Sequence, residues 1–134
     1  MKQKTTTRLP AAVFFTLLAA LLILTYYPDM PDARVRVRGE WFRLDYLGHL
    51  GFYAALTASF LVWRAGWRKK VPGKLLLLTI LAGLVFGIMT EFTQSFVPGR
   101  FYNPIDMVYN CAGILAGTAG VYFIRKRENG KNRT

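Results

Sequence analysis

At 134 residues the chain is long enough for one domain; 53% of it is hydrophobic and 19% charged, with 18 Lys and Arg against 7 Asp and Glu, a formal charge of +11. An aromatic content of 15% excludes intrinsic disorder, and a single cysteine excludes both an intramolecular disulfide framework and a Cys-rich metal site. The charges fall in blocks between apolar runs too long for a soluble core of this size, which describes an integral membrane protein and argues against a nucleic-acid partner.

The first uncharged run lies between Arg8 and Asp29. Lys2, Lys4 and Arg8 before it look like the basic start of a signal peptide. Its apolar core is long for one, and YYPDMPDAR after it has no small-x-small cleavage pattern, so a retained helix is expected. The stretch ARVRVRGEW that follows alternates basic and apolar residues with period two, which fits a short surface strand or an extended strip on the headgroups, or else a solvated linker. The second run lies between Asp45 and Arg64 and contains His49. The third runs from Leu75 to Thr90, meets Glu91, and continues as helix to Ser95 or Phe96. The fourth runs from Met107 to Ile124, between Asp106 and the block Arg125-Lys126-Arg127.

A helix needs roughly 20 residues to cross a bilayer core of about 30 Å, which each run can supply. The expected fold is therefore all-α, a single membrane domain of four transmembrane helices at 10–27, 45–63, 75–95 and 106–124. Pro10, Pro28, Pro31, Pro72, Pro98 and Pro104 all fall at or outside those ends, where a missing N–H costs little. Two G-x-x-x-G pairs, Gly83 with Gly87 and Gly113 with Gly117, are expected to pack helices closely, with Gly120, Ala54, Ala55 and Ala58 nearby. Tyr26, Tyr27, Trp41, Trp63 and Trp67 suit the membrane interfaces.

The basic residues give the orientation. With both termini in the cytoplasm, thirteen Lys and Arg lie inside (Lys2, Lys4, Arg8; Arg64, Arg68, Lys69, Lys70, Lys74; Arg125, Lys126, Arg127, Lys131, Arg133). Five lie outside: Arg34, Arg36, Arg38, Arg43 and Arg100. A multi-pass protein of the cytoplasmic membrane is expected.

At the outer ends of the spans a polar cluster assembles. Asp45 and His49 share one helical face, as do Glu91 and Gln94, and Asp106 and Asn110. A carboxylate within the bilayer is costly unless paired, hydrated or protonated, and is by default a candidate site. Glu91 is the leading candidate, its alternative being a structural anchor to Arg100 or His49. Asp45 and Asp106 begin helices and could serve as caps or dipole partners. Arg100 could clamp a phosphate or carboxylate, or contact headgroups. Gln94, Asn103 and Asn110 could orient a ligand or join helices. Cys111 reads as a small packed residue.

The ordered string D45-x3-H49, E91-x2-Q94-x3-P98-G99-R100-x5-D106-x3-N110-x2-G113-x3-G117 resembles the VanZ-like family of small bacterial membrane proteins, over positions 45 to 120. It departs at Tyr46, where the family commonly has Lys, and at Asn103, where a small hydroxyl residue is usual. The first change removes a potential internal salt bridge; the second keeps a side chain able to cap. The family's founding members are associated with resistance to the glycopeptide teicoplanin. The resemblance implies a role at the outer face of the cytoplasmic membrane, where glycopeptides and lipid-linked cell-wall precursors meet, rather than a defined reaction.

Three functions fit these residues. In a binding protein, Arg100, Gln94, Asn103 and Asn110 would hold an amphiphile or lipid headgroup. In an intramembrane hydrolase or transferase on a lipid-linked substrate, Glu91 or His49 would be the general base, supported by Asp45 and Asp106. The same four groups could hold a divalent metal, although no nucleophile is well placed and no other cofactor is indicated. In a structural account the polar residues only join helix ends. Membrane lipids are the expected partners, and a homo-oligomer is compatible with all three.

Overall fold

The computed structural model describes residues 5–29, 34–38, 40–66 and 70–131. Lys2, Lys4, Pro31, Trp67, Arg68, Lys69 and Arg133, used above, lie outside them. Four helices carry the fold: α1 (Thr5–Tyr26), α2 (Asp45–Ala65), α3 (Gly73–Gln94) and α4 (Pro104–Lys131). A hairpin of β1 (Arg34–Val37) and β2 (Glu40–Arg43) lies between α1 and α2. Three helical stretches, Arg8–Tyr26, Gly73–Gln94 and Pro104–Gly130, are long and apolar enough to cross a membrane. Their outward side chains include Phe15 and Ile23 on α1, Leu77, Val85 and Phe92 on α3, and Val108 and Phe123 on α4. Left in water this would be a very large apolar surface; against acyl chains it is the expected exterior. This is a membrane protein.

The helix ends follow local chemistry. Pro72 precedes α3, and Pro104 occupies the first position of α4, where its missing N–H has no intrahelical role. Pro10 departs from expectation, lying inside α1. It sits near the start, so the helix forgoes a single bond, to the Thr6 carbonyl, and continues. α4 runs past Ile124 to Lys131, because leaving the apolar layer does not end a helix. Lys, Arg and Glu are good helix formers, and basic side chains suit a C-terminal dipole.

The period-two segment is a strand pair, not an irregular linker. β1 and β2 are antiparallel with Arg34 opposite Arg43, Val35 opposite Phe42, Arg36 opposite Trp41 and Val37 opposite Glu40. Arg38 turns the chain at φ 50°, the sign that tight hairpins require at their centre. Every β1 side chain is exposed, so the alternation covers no core. The Arg36 guanidinium lies 5.9 Å from the Trp41 ring centre across the strands.

The closest pairing in the bundle is α2 with α4; α1 packs on α2, and α3 on α4. Glycine makes the α2–α4 approach possible. A Cβ on Gly113 would collide with the Leu50 carbonyl oxygen and come 2.9 Å from Tyr53 Cβ; one on Gly117 would collide with the Ala54 carbonyl. Because 113 meets 50 and 117 meets 54, the two helices run the same way. On α3, Gly83 would meet Ile114 at 3.1 Å and Gly87 would meet Asn110 Cβ at 3.4 Å, an antiparallel register. Gly120 faces open space and takes no part. One buried cluster joins Leu21, Tyr53, Leu56 and Ile114, and a second joins Leu61, Ala65, Val71 and Val121 further along.

Trp63 stacks on Phe14, with centroids 5.6 Å apart, and the Tyr26 hydroxyl meets Thr93 Oγ1 at 2.7 Å, so both also tie helices together. With these directions, Asp45, Glu91, Gln94, Arg100 and Asp106 share one end of the bundle, and Arg64, Lys70, Lys74 and Arg125 to Arg127 the other.

Gly113→Val is expected to lower the midpoint of thermal unfolding in detergent, with an overpacking cost of about 1–3 kcal/mol or more. Gly120→Ala should be neutral or slightly stabilising, since helix propensity improves and nothing is met. Equal midpoints for the two variants would contradict the close α2–α4 contact.

Candidate functional site

The site forms where the end of α1, the start of α2, the end of α3 and the start of α4 meet. The turn after α3 organises it. Gly99 holds φ 74°, and a Cβ there would collide with the Asp29 carboxylate, so the turn can lie against the chain leaving α1 only with glycine. The Asp29 N–H donates to the Pro98 carbonyl at 3.4 Å. Arg100 Nη2 then donates to the Leu24 carbonyl at 2.5 Å and reaches Thr25 O at 3.4 Å. Those are orphan carbonyls at the negative end of α1, where a guanidinium is favoured.

Glu91 is 1% exposed. Its Oε1 accepts from Gln94 Nε2 at 3.0 Å and from the Asn103 backbone N–H at 2.9 Å. Asn103 Oδ1 in turn accepts from the Ile105 N–H at 3.0 Å, which makes Asn103 the N-cap of α4. Glu91 thus anchors the segment leading into α4.

A second chain of bonds crosses three helices. Asn110, also 1% exposed, donates through Nδ2 to the Gly87 carbonyl at 3.4 Å, while its Oδ1 lies 2.9 Å from His49 Nδ1. With Oδ1 the acceptor, the proton of a neutral His49 sits on Nδ1 and Nε2 carries the lone pair. His49 Nε2 lies 3.8 Å from Asp106 Oδ2, and Asp106 Oδ1 has no hydrogen-bond partner among the described residues. Beneath these, Tyr53 and Thr90 join their hydroxyls, and Thr90 Oγ1 donates to Gly87 O at 3.1 Å.

Asp45 starts α2 without capping it; it is paired with Arg43, whose Nε lies 3.1 Å from Oδ2. The ion-pair partner of Asp45 therefore comes from the preceding strand. Tyr46 itself stacks on Tyr109 with centroids 5.1 Å apart, and the Arg43 guanidinium lies 4.9 Å from its ring centre.

These elements surround a cavity of about 600 Å³, within the range of small-molecule sites. Leu21, Leu24, Phe52, Phe101 and Ile105 give it apolar walls, and Arg43, Asp45, His49, Arg100 and Asp106 its charged ones. Gln94 and Asn103 also border it. Glu91 and Asn110 do not: both stand behind the wall and hold the residues that form it. Among the described residues, no three His, Cys, Asp or Glu side chains converge as a metal site. Asp45 and Glu91, two of the four candidate ligands, are engaged with Arg43 and with Gln94 and Asn103. Sequence reasoning overlooked Arg43, Tyr53 and Thr90. The i, i+2 spacing of Arg43 from Asp45 was visible, whereas the Tyr53–Thr90 pair has no linear signal.

No family model, curated protein or solved structure matches this chain.

Glu91→Gln keeps an acceptor oxygen for Gln94 and Asn103 and should unfold within about 1 kcal/mol of the parent, whereas Glu91→Ala leaves two buried donors unpaired and should cost about 2 kcal/mol or more. Urea or thermal unfolding in detergent micelles distinguishes them, and equal losses would remove the anchoring role.

Proposed function

We propose that the protein is a four-span, VanZ-like protein of the cytoplasmic membrane that binds an amphiphile or lipid-linked envelope component at the outer face. The cavity carries this reading. It combines apolar walls with charged groups at the bundle end opposite the basic blocks, as a molecule with acyl chains and a polar head requires. The positive-inside asymmetry supports cytoplasmic termini and an outward-facing cavity. α2 is read as the fourth span: its 21 residues cover about 30 Å. Its lower apolarity suits a helix that faces α1 and α4 and carries His49 and Thr57 toward protein.

The binding reading draws more support than the enzymatic one. Glu91 stands behind the cavity wall with Oε1 engaged, and among the described residues no serine or cysteine borders the cavity. The resemblance to teicoplanin-associated proteins supports an envelope component as occupant, so expression in a susceptible host is expected to change teicoplanin susceptibility.

Two experiments test the proposal. In a Cys111→Ser background, Arg38→Cys should react with a membrane-impermeant maleimide on intact cells and Glu128→Cys only after lysis; the reverse pattern would overturn the orientation. Gly48 borders the cavity and a Cβ there meets nothing. Gly48→Phe should therefore fill the space and abolish the lipid that co-purifies with the parent, measured by native mass spectrometry, at an unchanged unfolding midpoint. Undiminished lipid would place the amphiphile elsewhere.

A further inference from the structure

Two charged groups at the cavity are left incomplete by the bundle's own hydrogen bonds. The Asp106 side chain is 6% exposed and borders the cavity, and its Oδ1 is buried without a donor among the described residues. Arg100 spends Nη2 on the carbonyls of α1, while its buried Nε has no acceptor among them. Unpaired polar atoms at this depth are costly, and in native proteins they are rare enough to require a reason. A ligand that brings a donor to one and an anion to the other supplies it.

The chemistry around Asp106 narrows the donor. His49 turns Nδ1 toward Asn110, which is itself held by Gly87, so in its neutral Nδ1–H form the ring presents Nε2 as a second acceptor 3.8 Å from Asp106 Oδ2. Two adjacent acceptors, one of them anionic, suit a cation rich in N–H bonds. A primary ammonium has three and a quaternary ammonium none. A group without N–H bonds leaves Asp106 Oδ1 without a donor, whatever aromatic faces the cavity offers. On the other pole, a guanidinium N–H with no acceptor suits a phosphate. Leu21, Leu24, Phe52 and Ile105 continue the same cavity as an apolar wall for chains.

We propose that the cavity selects a phosphate-plus-primary-ammonium headgroup, the phosphoethanolamine type, with Asp106 and His49 Nε2 accepting from the ammonium and Arg100 Nε donating to the phosphate. The proposal rests on the amphiphile-binding reading above and names the headgroup.

The test uses the full chain in nanodiscs of equimolar phosphatidylethanolamine, phosphatidylcholine and phosphatidylglycerol with identical acyl chains, and native mass spectrometry of the lipid retained on release. Phosphatidylethanolamine should be retained about tenfold over phosphatidylcholine, the worth of one charge-assisted hydrogen bond. Asp106→Asn should keep lipid but lose that preference. Arg100→Lys, which keeps a cation for the α1 carbonyls but lacks Nε, should lose retention of phospholipids relative to added diacylglycerol, at a near-parental unfolding midpoint. Equal retention of the ethanolamine and choline lipids, or a parental preference in Asp106→Asn, would overturn the headgroup assignment and leave amphiphile binding intact. No retained lipid in the parent, or undiminished retention in Gly48→Phe, would overturn amphiphile binding itself. Free O-phosphoethanolamine titrated into delipidated protein separates the sources. Saturable binding that displaces the lipid points to a soluble ligand; failure to bind while the lipid is retained points to the membrane; binding of neither overturns the proposal.

Discussion

The contact of Gly113 and Gly117 with the α2 backbone is the constraint on which the rest of the protein depends. Two helices that touch at Leu50 and Ala54 have no room for side chains between them, so their relative height and rotation are fixed within a narrow range. That registration brings His49, one residue before Leu50, level with Asn110, three before Gly113. The 2.9 Å bond between them lies beside the glycine contact. Acyl chains are as apolar as leucine and give no hydrophobic drive for helices to associate, so close packing and interhelical hydrogen bonds must do so. Here they occupy neighbouring turns of the same interface.

The polar residues divide into two groups by what surrounds them. Glu91, Asn110, Gln94 and Thr90 are buried, and each has a protein partner: they join α3 to the start of α4 and α4 to α2 and α3. Asp106 and Arg100 stand at the cavity with one buried atom each unpaired. In a low-dielectric setting a satisfied network rigidifies, and an incomplete one is either a liability or a site. The first group acts as scaffold for the second. The residue with the strongest claim by its chemistry alone, Glu91, thereby becomes a support, and Asp106, which looked like a helix-start acid, is left with a buried oxygen that has no partner among the described residues.

Arg100 shows how one side chain serves both. Its Nη2 caps the end of α1 across the turn that Gly99 permits, at the border of the cavity. Its Nε is buried without an acceptor among the described residues. Arg43 plays a parallel part on the other side, leaving the hairpin to pair with Asp45 and lie against Tyr46. The hairpin is thus tied to the site through its last residue, although its own first strand covers no core.

Much was legible in the linear order of residues. Apolar runs bounded by charge determine helices in a bilayer, because backbone polar groups there must be satisfied within the segment. Spacings of three and four determine which polar residues share a face, and the glycine spacings of α3 and α4 marked the tight interfaces. Chain direction then sends the basic blocks and the acid-rich cluster to opposite ends whatever the details of packing. Only the tertiary structure decided which polar side chains face one another across helices. Whether Glu91 meets Arg100, His49 or the backbone of Asn103, whether Asp45 pairs with a helix neighbour or with Arg43, and whether Asp106 is satisfied or open depend on rotations and heights set by contacts far apart in sequence. A helical period specifies the face of each helix but not what stands opposite it, and here the opposing side chains determine which groups remain unpaired.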